Sequence, residues 1–166
     1  MMQYSNHPGR QAGFNLIEVL VALVVLAIGL LGLASLQASS LKFNHSAYMR
    51  TQAINLAYDM SDRIRANRSA ALSGGYELGL GDGPPGAGSI ASQDLTEWLN
   101  ALNALLPSGD GAVCRTSSNA PTGLGSCDGS GDVFVIVVQW DDSRGADSDD
   151  ARAAEETTQF MLVTGL

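Results

Sequence analysis

Glu18 is the only charged side chain in Phe14–Leu36, a stretch of 23 residues whose other polar side chains are Asn15 and Ser35. A carboxylate in so apolar a run is costly if the run enters a bilayer, and such a group is a functional candidate by default. Cys114 and Cys127 enclose 12 residues rich in Gly, Ser, Thr and Asn. They are expected to form a disulfide, in preference to a reduced pair or a metal pair, since no histidine or further cysteine accompanies them as a metal site would need. The run Asp141-Asp142-Ser143-Arg144-Gly145-Ala146-Asp147-Ser148-Asp149-Asp150 invites a calcium reading. It lacks the glycine and terminal glutamate spacing of an EF-hand loop, so a solvated hairpin tip is preferred over calcium binding or a partner-docking patch.

Catalysis fails on inventory. The two histidines, His7 and His45, both lie in the first 45 residues, so Ser-His-Asp or Cys-His chemistry has no base in the C-terminal part. Residues 73–88 contain seven glycines and Pro84-Pro85, but no Gly-Lys-Ser/Thr follows, so this is a linker and not a phosphate cradle. No enzyme, cofactor or metal is expected.

The elements that carry these residues follow from composition. The chain has 166 residues with 45% hydrophobic, 6% aromatic and 16% charged residues, and a net charge of −8. That excludes full disorder, a polytopic membrane protein and a disulfide-dense scaffold. The charge is uneven. Residues 1–70 net +3, whereas residues 71–166 carry Arg115, Arg144 and Arg152 against 14 acids, netting −11. Direct nucleic-acid binding by such an acidic part is disfavoured, because phosphates demand a basic surface.

Phe14–Leu36 is long enough to span a bilayer as a helix. A cleaved secretory signal would have an apolar region of about 7–15 residues, shorter than this one. A plain single-pass anchor fits the length but leaves Glu18 unexplained. A third reading comes from Gly13-Phe14-Asn15-Leu16-Ile17-Glu18, which follows a short polar leader carrying Arg10. This spelling resembles the class III signal of type IV pilins and type II secretion pseudopilins, with Asn15 replacing the commoner threonine or serine. The resemblance implies that prepilin peptidase cuts between Gly13 and Phe14 on the cytoplasmic side and that Phe14 is then N-methylated. It implies that the apolar run is kept as an assembly helix and that Glu18 engages the amino group of an adjacent subunit. An intrachain pair between Glu18 and the freed amine of Phe14 is the alternative. Either way, two opposite charges costly alone are tolerable together.

Beyond the apolar run, no proline occurs until Pro84, and Met49, Ala53, Leu56, Met60 and Ile64 recur at spacings of three and four. Asp59 and Arg63 form a favourable i,i+4 pair. The helix is expected to end near Ser73-Gly74-Gly75. A second helix, capped by Ser92 with Asp94 and Glu97 in its first turn, carries Leu95, Trp98, Leu99, Leu102 and Leu106 as its apolar stripe and stops before Pro107. Val133–Trp140 is apolar on both faces and reads as a central strand, Gln159–Val163 as a second, and Ala112–Thr116 as a weaker third. Sixteen residues separate Trp140 from Thr157, so these two strands pair antiparallel across a long acidic loop.

The expected fold class is therefore α+β and pilin-like, a long N-terminal helix packed on a small antiparallel sheet. The expected organisation is a cleaved leader at 1–13, a transmembrane and assembly half-helix at 14–36, an amphipathic half at 37–72 and an acidic head at 73–166. Many pilins have a disulfide-bounded loop near the C-terminus, but here strands follow Cys127. Within the family the chain looks most like the PilV-type minor pilins. That resemblance implies a part in priming or modifying pilus assembly, with prepilin peptidase, the inner membrane, other minor pilins and the major pilin as partners. It also implies a single-pass inner-membrane protein with a periplasmic head that moves into the pilus or its tip. A minor I-type pseudopilin of type II secretion and a membrane-tethered adhesin or binding head are the alternatives.

Overall fold

A computed structural model describes residues 15–86, 88–142 and 157–166. Gly13, Phe14 and residues 143–150 of the acidic run lie outside the described residues. The chain divides into two units, residues 1–41 and 42–166.

Helix α1 spans Leu16–Ala66. Its first carbonyl partner is Asn15, whose C=O accepts from the backbone N–H of Glu18 at 2.9 Å. The absence of proline from Leu16 to Ala66 lets the backbone ladder run unbroken. In the first unit every described residue is exposed. In the second unit the same helix becomes one-sided, burying Met49, Ala53, Leu56, Ala57, Met60, Ser61 and Ile64. These positions recur at three and four residues, so they share one face.

The helix does not run straight to Ser73. Asn67 leaves helical geometry at φ −119° and ψ 53°, and a five-residue helix α2, Arg68–Leu72, follows. The Asn67 side chain donates to the Tyr76 hydroxyl at 3.3 Å, an outside partner of the sort that draws Asn out of helix interiors. The turn then closes at Gly74, whose φ of +84° suits a residue without a Cβ.

Helix α3 spans Ile90–Leu105 and is capped by Ser89, three residues before the expected cap Ser92. Ser89 has extended backbone and its Oγ accepts from the Ser92 N–H at 3.0 Å, while the Ser92 Oγ accepts from the Ser89 N–H at 3.0 Å. Ser92 is thus the third helical residue in a reciprocal box, and Asp94 and Glu97 fall beyond the first turn. The expected stripe of Leu95, Trp98, Leu99, Leu102 and Leu106 is buried.

Three strands complete the head: β1 Asp110–Thr116, β2 Val133–Asp141 and β3 Thr157–Gly165, in spatial order β1-β2-β3. Both pairings are antiparallel, with Val113 opposite Ile136 and Ile136 opposite Leu162. The central position of β2 explains its two apolar faces. Phe134, Ile136, Val138 and Trp140 join the main core with α1 and α3. Val135 and Val137 form a smaller cluster with Ala112, against which Leu80, Leu124 and both cysteines pack. The result is an α+β, pilin-like architecture: a long N-terminal helix with a small three-stranded antiparallel sheet.

Candidate functional site

The first unit presents the sequence-predicted assembly residues. Glu18 sits in the first turn of α1, where a negative charge is favoured by the helix dipole. Around it the helix shows Leu16, Ile17, Val19, Leu20, Val21 and Leu23 to the outside, each at least 47% exposed. Water does not tolerate so long an apolar surface, which calls for lipid or other helices. Helix α1 is long and apolar enough to cross a membrane. Gly29 and Gly32 have open space around them, so this part of the helix offers small-residue positions where another helix can approach closely.

The head holds its polar groups in structural roles. Arg63 donates to Asp59 at 2.9 Å, to Asp94 at 3.1 Å and to Glu97 at 2.9 Å, tying α1 to α3. The hydrogen bond to Glu97, ahead of those to the two aspartates, holds its guanidinium above the ordinary arginine range. The buried Tyr76 hydroxyl donates to the same Asp94. Burial, and then that hydrogen bond, push its pKa up to about 12. Trp98, fully buried, donates its indole N–H to the Leu56 carbonyl at 2.9 Å, a second clamp between the helices. Arg115 reaches Glu77 at 3.1 Å and donates to the carbonyls of Leu72 and Gly129, stitching the turn after α2 to β1 and to the loop after Cys127.

Cys114 and Cys127 are joined in a disulfide with Cα atoms 5.9 Å apart, within the normal range. Just after it, Asp128 accepts from the Ser117 and Ser130 hydroxyls and from both of their backbone N–H groups. The Ser117 hydroxyl, followed by the Ser130 contacts, holds this carboxyl well below the usual carboxylate range. Asp142, at the start of the acidic run, accepts from Ser46 of α1 at 2.6 Å.

Among the described residues no group of three or more His, Cys, Asp or Glu side chains is placed to hold a metal ion. One concavity of about 400 Å³ is lined by Pro84, Pro85, Ser92, Gln93, Thr96 and Glu97. Another, of about 360 Å³, is lined by Glu77, Leu78, Gly79, Asp82 and both cysteines. Neither sets a nucleophile beside a base. His45 lies exposed on α1.

Sequence reasoning found the Asp59–Arg63 pair but missed that Asp94, Glu97 and Tyr76 complete it. The available signal was weak: two acids three residues apart near the start of a short helix. It also missed Gly111, whose lack of a side chain lets α3 lie on β1. A Cβ there would collide with the Trp98 ring and fall 2.7 Å from a Leu102 methyl. A glycine inside a strand pattern is the signal for such close approach.

Residues 8–34 match the family model of the prokaryotic N-terminal methylation motif. That match covers Gly13, Phe14 and Glu18 together with most of the apolar run. No curated protein and no solved structure is significantly similar to the chain. The motif and the exposed apolar helix fit a pilin-like protein that is processed by prepilin peptidase and anchored in a membrane.

Proposed function

We propose that this chain is a minor pilin that helps prime or modify type IV pilus assembly. The observation that carries the reading is the methylation motif at 8–34 running into a helical segment, residues 16–41, whose apolar residues are all exposed and whose one acid is Glu18. In this reading prepilin peptidase cuts after Gly13, and Phe14 becomes the methylated N-terminus. Removal of the leader takes Arg10 with it and leaves 153 residues with a side-chain charge of −9.

The division of labour follows. Residues 14–36 hold the subunit in the inner membrane as a single span and later pack among the helices of other minor pilins and the major pilin. Residues 37–72 connect that segment to the core, and residues 73–166 form a periplasmic head carried to the pilus or its tip. Glu18 acts as a registry device. In a low-dielectric helix bundle its carboxylate needs a cation, and the amine of Phe14 on a neighbouring subunit supplies one at a single axial offset. The head works by contact and not by chemistry.

The test is Glu18→Ala, followed by the amount of the chain in filaments sheared from cells. The variant is expected to be cleaved and membrane-bound yet depleted from filaments at least about tenfold, the loss of one buried ion-pair partner. Undiminished entry into filaments would remove the registry role. Recovery of the wild-type chain with a secretion apparatus and not with pili would reassign it to the pseudopilins.

A further inference from the structure

The outer face of the sheet is covered on one side only. Ala112, Val135 and Val137 are buried there beneath Leu80, Leu124 and both cysteines. In the pairing register Met161 lies beside Val137 and Val163 beside Val135, and these two stay 39% and 41% exposed. Leu124 and Cys127 belong to residues 117–130, which leave β1 and return toward β2. Lifting these residues would join Ala112, Val135 and Val137 to Met161 and Val163 in one exposed apolar face. Soluble heads avoid such faces, because they drive association.

Two kinds of bond hold residues 117–130 down. The Cys114–Cys127 disulfide is the covalent one. Beside it lies a polar clasp. Asp128 accepts from the backbone N–H and hydroxyl of Ser117, just past the end of β1, and from those of Ser130. Next to it the Thr116 hydroxyl donates to the Ser126 carbonyl at 2.6 Å, and the Asp128 N–H donates to the Arg115 carbonyl at 3.1 Å. The chain also returns closely: a Cβ on Gly131 would fall 2.5 Å from the Thr116 carbonyl oxygen. None of these contacts passes through a sulfur. The Ser117 hydroxyl, and then the Ser130 contacts, hold the Asp128 carboxyl well below the usual range, so the clasp stays charged at ordinary pH.

We propose that residues 117–130 form a lid with two independent latches, which stays closed over the outer sheet face while both thiols are reduced and opens only when the Asp128 clasp is lost as well. The face is thus covered before the disulfide forms, and oxidation locks a lid that is already shut. A concavity of about 360 Å³ lined by both cysteines gives a small dithiol access to the sulfurs. Reduction passes two electrons and two protons from the dithiol to Cys114 and Cys127. Their S–S bond breaks, two thiols form, and the reagent becomes a disulfide. This inference concerns the head and stands whether or not the chain enters a filament.

The experiment is amide hydrogen exchange on the full chain in detergent micelles, with and without dithiothreitol, for wild type and Asp128→Ala. The readout is exchange at residues 126–128, whose N–H groups donate to the carbonyls of Gly123, Leu124 and Arg115. Slow exchange is expected in wild type, oxidised or reduced, and in oxidised Asp128→Ala. Reduced Asp128→Ala is expected to exchange at least about tenfold faster there, with the β2 amides unchanged. Ser117→Ala combined with Ser130→Ala removes the hydroxyl donors of the clasp and is expected to repeat the pattern. The proposal is overturned if reduced wild type exchanges as fast as reduced Asp128→Ala, or if oxidised Asp128→Ala does. It is equally overturned if both reduced variants stay slow, or if β2 loses protection together with the lid in both, since the lid would then be no separate element.

Discussion

Tyr76 and Glu18 show how differently one polar group behaves in two apolar settings. Tyr76 is fully buried and donates to Asp94, so burial and then that hydrogen bond keep its phenol neutral and hold its pKa at about 12 rather than 10.0, against the opposing pull of the Asn67 amide that donates to it. Because the folded state keeps that proton longer than the unfolded chain, the resulting stability is fully present below pH 10 and is lost as pH rises toward 12. In Tyr76→Phe that part of the alkaline loss is expected to vanish, along with about 1 kcal/mol of stability at neutral pH from the missing hydrogen bond. Thermal melts of wild type and variant at neutral pH and near pH 12 check this. An equal alkaline decline in both would contradict it. Glu18 is exposed in the first turn of its helix and among the described residues has no such set of partners, so its role rests on what the apolar surface around it meets.

The elements divide into those the residue pattern announces and those that tertiary contacts decide. The apolar spacing from Met49 to Ile64 and the two-faced run Val133–Trp140 were legible because burial of one helix face, or of both strand faces, leaves a periodic trace. The start of α3 was not, because Ser89 and Ser92 are both good caps and only the backbone geometry picks the first. Nor was the break at Asn67, which depends on Tyr76 arriving from nine residues away. Gly111 is the sharpest case. It sits within β1 directly under Trp98 and Leu102, so the helix–sheet spacing is set by a missing side chain. Gly111→Val is expected to destabilise the head by about 1–3 kcal/mol through overpacking, with loss of near-UV signal from the tryptophans before loss of helix. Denaturant unfolding measures it, and a variant as stable as wild type would mean that α3 can shift away from β1 freely.

At the scale of the whole molecule, composition alone misleads. The 45% hydrophobic content averages an apolar helix segment that holds 18 hydrophobic residues in 23 with an acidic, glycine-rich head. The two units follow that contrast: one exposes its apolar residues, and the other buries a core and adds a disulfide. A protein that spends its apolar residues on an exposed helix is built to be completed by lipid or by other helices. The central claim is that this completion begins with processing of the motif at 8–34. Mass spectrometry of the intact N-terminus, on protein extracted from membranes of cells that carry prepilin peptidase, tests it most directly. The account predicts a chain that begins at Phe14 and carries one methyl group on its amine, and a Gly13→Ala chain that keeps its leader. An N-terminus at Met1, or one created by cleavage near Ala34 or Ala38, would contradict it.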